Sequence, residues 1–192
     1  MSRVYSSETR ELPGDLALWF FLCAELAVFG LLIIGFCLVR LQYPEMFYHG
    51  LQQLHMAAGI ANTLVLLSGS YFLVLAVERV RHTDTSPGGY FFAAAACGMI
   101  YIIIKISEYQ QLYTDGYSLH YDIFFGFYFF TTFFHLLHVL AGVVLLLLTQ
   151  AWLKKKKNDQ LSRRKGAESV ACYWHMVDLV WIVLFPTLYV LS

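Results

Sequence analysis

Apolar residues in this chain gather into five long runs, 16–39, 54–77, 90–109, 123–149 and 170–191, separated by short polar joints. The hydrocarbon core of a bilayer is about 30 Å thick, so a helix needs about 20 mostly apolar residues to cross it. Each run therefore predicts a transmembrane helix. The third is the weakest, because Lys105 and Glu108 interrupt its far end. Pro13-Gly14-Asp15 offers a turn and a capping carboxylate ahead of the first run. Pro44, the Thr85-Ser86-Pro87-Gly88-Gly89 cluster and Asp115-Gly116 punctuate later joints. The first run does not read as a cleavable signal: it is too long, it contains Glu25, and no small-residue cleavage site follows. The pattern predicts an all-α integral membrane protein, a five-helix bundle forming one membrane domain over residues 1–192.

Composition points the same way. Hydrophobic residues make up 59% of the chain and charged ones 14%, against about 45–50% and about 25% in soluble domains. A soluble fold of this size could not hide that much apolar surface, and a disordered or disulfide-stapled chain is excluded too. Cys23, Cys37, Cys97 and Cys172 stand singly in apolar runs and read as packed or lipid-facing residues. The net charge of +0 implies no nucleic-acid partner and hides a strong asymmetry along the chain. With the N-terminus inside, eleven basic residues fall on the cytoplasmic side (Arg3, Arg10, Arg79, Arg81, Lys154 to Lys157, Arg163, Arg164, Lys165), against Arg40 alone outside. That bias predicts a cytoplasmic N-terminus and an outside C-terminus. The basic 154–165 stretch reads as a loop held to anionic headgroups, or as a docking site for an acidic partner.

Charges inside oil cost about 2.5–3.5 kcal/mol each on insertion scales, so polar residues in the runs mark where structure or function resides. Glu25, His135, His138, His175 and Asp178 form the first such set. The pairs His135/His138 and His175/Asp178 are each spaced i, i+3 and so share a helix face. Glu25, His138 and Asp178 fall in one band of depth in the inner half, which predicts a single hydrogen-bonded cluster. A neutral Glu25, or one bonded to a histidine, would lower the burial penalty. A structural role, proton exchange and metal ligation all remain open for this set. Lys105 and Glu108 form a second island, spaced to pair with each other, with Tyr101 and Tyr109 as interfacial rings. Ala57-Ala58-Gly59, Ser68-Gly69-Ser70 and Ala93 to Ala96 with Gly98 let helices approach closely. The aromatic stretch Phe124 to Phe134 reads as a surface facing lipid or another subunit. No phosphate loop, nucleophile elbow or Cys-rich cluster occurs.

Taken together, the motifs resemble subunit III of heme–copper oxidases. Ala24-Glu25 followed by Phe29-Gly30 is similar to the family's first shared segment. Asn62-Thr63 with Ser68-Gly69 resembles the second, and Ser107-Glu108-Tyr109 with Asp115-Gly116 resembles its Glu-Tyr and Asp-Gly loop. Phe134-His135 through His138 to Gly142 is similar to Phe-His-Gly-Leu-His-Val-x-x-Gly. Glu168, then Tyr173-Trp174-His175-Met176-Val177-Asp178-Leu179-Val180-Trp181, is nearly the family's closing signature. These motifs run collinearly from about residue 13 to 191. Leu136 replaces the Gly between the two histidines, and the two extra N-terminal helices of seven-helix members are missing, as in five-helix quinol oxidase subunits. The Lys105-x-x-Glu108-Tyr109 variant most resembles the subunit III-like accessory protein of bacterial nitric oxide reductase clusters.

The resemblance implies an auxiliary subunit in respiratory electron transport, in a bacterial inner membrane, with no catalytic site. It implies no cofactor of its own beyond bound phospholipid, with heme and copper confined to a catalytic subunit I partner. Its role there would be to support assembly, stability and proton uptake. Glu25 takes the position of the family's intramembrane carboxylate. His135, His138, Glu108, Glu168 (an interface acid), His175 and Asp178 take those of its polar framework. From the residues alone, a self-standing proton channel or small transporter and a redox enzyme in its own right stand as alternatives.

Overall fold

The computed structural model describes residues 16–82, 87–155 and 159–190. Among these, every regular element is helical: α1 (Leu16–Gln42), α2 (Pro44–Gln52), α3 (Met56–His82), α4 (Gly88–Thr114), α5 (Ile123–Lys155) and α6 (Gln160–Phe185). Five of them, α6 together with its terminal turn among them, are long and apolar enough to cross a bilayer. Helices are the form expected there, because backbone N–H and C=O groups find no water in hydrocarbon and must bond within their own segment. Side-chain hydroxyls obey the same constraint. Thr63 donates to the Gly59 carbonyl, Ser107 to Ile103, Thr132 to Tyr128 and Thr187 to Val183, each one turn back.

The helices outrun the apolar runs by up to nearly three turns. The last starts at Gln160, ten residues before the expected 170, and ends in a wider π-helical turn, Pro186–Val190. Pro186 has no N–H to continue the ladder. The polar sequence from Gln160 to Ser169 is thus helix, where a charged loop was expected. Pro44 opens the short helix α2 instead of a simple turn, as proline does at a first helical position. The expected cap at Pro13-Gly14-Asp15, the Thr85-Ser86 joint, the Lys156-Lys157 pair and Leu191 lie outside the described residues.

Other boundaries follow the sequence signals. Asp122 accepts the Phe125 N–H at 2.8 Å, and Asp159 accepts the Ser162 N–H at 3.0 Å, capping α5 and α6. At the end of α4, Gly116 has φ of 90°. It lets Tyr117 N–H reach the Leu112 carbonyl and Gly116 N–H reach that of Tyr113, closing the helix with a left-handed residue that needs glycine.

α3, α4, α5 and α6 close a ring, each packed on the next and α6 back on α3, while α1 leans on α5 and α6 from outside. Only 17% of the most apolar stretch of α1 is buried, against 56% for the span that begins at Gln160. At the heart of the ring Trp174 lies against glycines from three helices. A Cβ added at Gly98 would stand 2.8 Å from its ring, at Gly142 3.0 Å and at Gly69 3.2 Å. The close approach expected of Gly69 and Gly98 is therefore an approach to one indole.

The aromatic stretch of α5 does not face outward as a whole. Phe124, Phe125 and Tyr128 are buried, whereas Phe130 and Phe133 are exposed. The helical period, not the composition, sorts them.

Candidate functional site: polar centres within the bundle

The five intramembrane polar residues do not meet in one cluster. They divide into two pairs, one of which Ser70 completes as a triad, and a lone ring.

The pair joins α1 to α5. His138 Nε2 lies 3.0 Å from Glu25 Oε2, and His138 Nδ1 lies 2.8 Å from the Phe134 carbonyl. A carbonyl only accepts, so Nδ1 carries a hydrogen. The contact with Glu25 then contains one proton, held either as a carboxylic acid donating to Nε2 or as an imidazolium donating to a carboxylate. Both side chains are half-buried. Tyr173 of α6 donates to the His138 carbonyl at 3.1 Å, and the Phe29 ring meets the imidazole edge-on at 5.2 Å.

The triad joins α3 to α6 and takes Asp178 away from Glu25. Ser70 Oγ donates to Asp178 Oδ2 at 2.7 Å and lies 3.2 Å from His175 Nδ1. Asp178 is buried, and His175 is exposed.

His135 stands alone. It is fully buried, and neither ring nitrogen has a hydrogen-bond partner among the described residues. Its ring stacks on Trp181 at 5.3 Å and meets Tyr101 edge-on at 5.7 Å. The hydroxyl of Tyr101 is likewise unpartnered. Tyr101 is fully buried, so it is not the interfacial ring that its position at a span end suggested.

The Lys105–Glu108 island proves to be the most enclosed polar centre. Lys105 is 0% exposed and Glu108 3%. The ammonium donates to Glu108 Oε2 at 3.0 Å, Tyr128 Oη at 2.9 Å and Tyr189 Oη at 2.6 Å. Those are all three of its hydrogens. Tyr189 in turn donates to Glu108, 2.8 and 3.0 Å from the two carboxylate oxygens. Aromatic rings enclose the nitrogen, those of Tyr109, Tyr128, Trp181 and Tyr189 having their centroids 4.8–5.5 Å away. Next to this centre Tyr109 donates to Thr132 at 2.8 Å. Spacing alone gave the pair itself. Tyr128 was hidden within an aromatic run, and Tyr189 lies 81 residues from Glu108 in sequence; the i, i+4 relation of Tyr128 to Thr132 was its only local signal.

At the basic end, Glu168 accepts from Arg81 and Arg164, both at 2.9 Å. Neither partner was read from the sequence: Arg164 was assigned to a loop, and Arg81 lies on another helix. Arg163 is buried and donates to Gln160 at 3.1 Å, so this part of the basic stretch is packed structure.

Among the described residues no three His, Cys, Asp or Glu side chains converge on one point that could hold a metal ion. Cys23, Cys37, Cys97 and Cys172 are free thiols.

Residues 17–192 match the family model described as cytochrome c oxidase subunit III. A protein named cytochrome c oxidase subunit 3 from Thermostichus vulcanus is 29% identical over 179 residues, covering 92% of this chain and 87% of that protein. One of the same name from Synechocystis sp. is 32% identical over 174 residues, covering 89% and 72%. A third, named heme-copper oxidase subunit I+III, from Aeropyrum pernix, is 29% identical over 186 residues, covering 90% of this chain and 22% of that longer one.

Proposed function

The chain belongs to the cytochrome c oxidase subunit III family, and we propose that it is the non-catalytic, subunit III-like component of a complex whose heme and copper sit in a separate subunit I. At the coarser level it is an auxiliary subunit of a heme–copper oxidase and a multi-pass membrane protein. The observation that carries the proposed partnership is the Aeropyrum pernix relative, in which a stretch matching 90% of this chain is part of one polypeptide named subunit I+III. The geometry supports the same reading, because the Lys105 and Glu25 centres tie helix to helix.

Within that reading the N-terminus lies on the cytoplasmic side of a bacterial inner membrane, and residues 1–192 act as one membrane domain. The chain supplies assembly, stability and support of proton uptake, and carries no cofactor of its own. Phospholipid is a ligand; an apolar groove of about 670 Å³ between α1, α5 and α6, lined by Leu18, Phe21, Leu140 and Val144 among others, is shaped for acyl chains. The Lys105-x-x-Glu108-Tyr109 sequence supports the finer reading that the partner is a nitric oxide reductase.

Purification from native membranes in mild detergent tests all of this. Co-purification with a heme-bearing subunit, seen in the optical spectrum, is the expected result. Consumption of nitric oxide, with little of oxygen, decides the finer point in favour of the reductase. A heme-free homo-oligomer that conducts protons in liposomes overturns the proposal.

A further inference from the structure

Helix α6 has two flanks. Against one, α1 is already seated, with Phe21 stacked on Tyr173 at 6.3 Å between centroids. The other, where α6 meets α3, is open. Ile60, Leu64, Leu67, Tyr71 and Val74 are exposed along α3 at spacings of three and four, and His175, Leu179 and Ile182 are exposed along α6 in the same rhythm. Such spacing lines one side of each helix, so the two rows border a groove of the kind that receives a further helix.

The triad lies within this groove. His175 lies five residues, about 8 Å, into the apolar run that opens at residue 170, and Ser70 seven residues from the same end of the 54–77 run. Here the hydrogen-bond inventory is specific. The Ser70 hydroxyl hydrogen goes to the Asp178 carboxylate, which only accepts, so Ser70 Oγ offers His175 lone pairs alone. His175 Nδ1 therefore carries a hydrogen and donates, which leaves Nε2 of the neutral ring as an acceptor. Nε2 has no partner among the described residues, and its side chain is exposed at that depth. An unmet polar atom at that depth is unfavourable against acyl chains, which offer no donor. Glu25 and His138, by contrast, satisfy each other.

We propose that the α3–α6 groove is the docking face for a transmembrane helix of the catalytic subunit, and that this helix presents a hydrogen-bond donor to His175 Nε2 in the inner half of the bilayer. The inference rests on the functional reading above, and it adds the face, the depth and the chemistry of the contact. Apolar rows on either side supply the packing, and the donor–acceptor bond fixes the register, the part that buried polar groups play between membrane helices.

The test uses the complex as purified from membranes, with a photoreactive benzoylphenylalanine at Tyr71 or Leu179 in the groove, and at Phe133 or Leu148 on the exposed side of α5. Irradiation is expected to join the heme-bearing subunit to positions 71 and 179 at least fivefold more than to 133 and 148. Adducts only from 133 and 148, or lipid adducts alone at 71 and 179 in a preparation that retains heme, overturn the docking face and leave the functional reading standing. Absence of any heme-bearing subunit from the unsubstituted preparation defeats both. In parallel, His175→Leu is expected to lower the retained heme subunit at least tenfold, with the helicity and thermal midpoint of the free chain unchanged. His175→Gln, whose amide oxygen reaches about as far as Nε2, is expected to restore retention. Equal retention in the Leu variant overturns the acceptor role.

Discussion

Two ionisable pairs sit in the same slab of oil and are built in opposite ways. Lys105 and Glu108 share one helix three residues apart, are closed off from lipid, and draw in Tyr128 of α5 and Tyr189 beyond α6. Glu25 and His138 come from helices far apart in sequence, remain half-buried and hold each other through a single contact. The first centre satisfies every ammonium hydrogen and binds three walls of the ring together. The second fastens one outlying helix to a ring that is already complete. Burial raises the stakes of a polar group in both directions: saturated it locks the fold, and broken it is worse than no polar group at all.

The largest expected effect comes from halving the enclosed pair. Lys105→Met leaves Glu108 in a dry site with Tyr189 as its remaining donor, and should lower stability by about 3–5 kcal/mol. Denaturation in mixed micelles followed by circular dichroism reads this. Adding Glu108→Met to the same chain should recover most of the loss, because two apolar side chains leave no charge stranded. A double variant as unstable as the single one would break the contrast between the centres.

A smaller effect is expected at the outlying pair. Glu25→Ala should cost about 1 kcal/mol of global stability, with the change concentrated in α1. Amide hydrogen exchange should speed up between residues 16 and 42 and stay unaltered in α4. In the purified complex, retention of the chain in detergent should fall while heme content holds. Uniform exchange changes throughout would show that α1 is no outlier.

The least sensitive site is the one at the basic end. Arg81→Ala removes one of two cations from Glu168 and leaves Arg164 in place, so a shift below about 1 kcal/mol is expected, and less still at high salt. Thermal scans at two salt concentrations check it.

Much of this was legible in the chain. The five spans follow from lengths of apolar sequence, and the Lys105–Glu108 pair and the Asp115-Gly116 stop follow from spacing along one helix. What lay across helices was not. Asp178 shares a depth band with Glu25, but depth says nothing of azimuth, and the rotation of α6 turns Asp178 toward Ser70 on α3. Ser70 read only as a small residue suited to close packing. Tyr128 was lost in an aromatic run because composition carries no direction; its side is set by the ring of helices around it. The early start of α6 was masked by polar residues such as Arg163 and Glu168, whose helical contacts lie partly outside α6 itself.

The distances along the chain have a consequence for biogenesis. Lys105 and Glu108 can neutralise each other as soon as α4 forms, so that helix enters the bilayer already paired. Glu25 has no such help: its histidine lies 113 residues downstream. At ribosomal rates of about 5–20 residues per second, α1 waits roughly 6–23 seconds before that histidine has been made. During that interval the acid has no partner from its own chain, so α1 is the last of the polar-bearing spans to be satisfied relative to its time of synthesis.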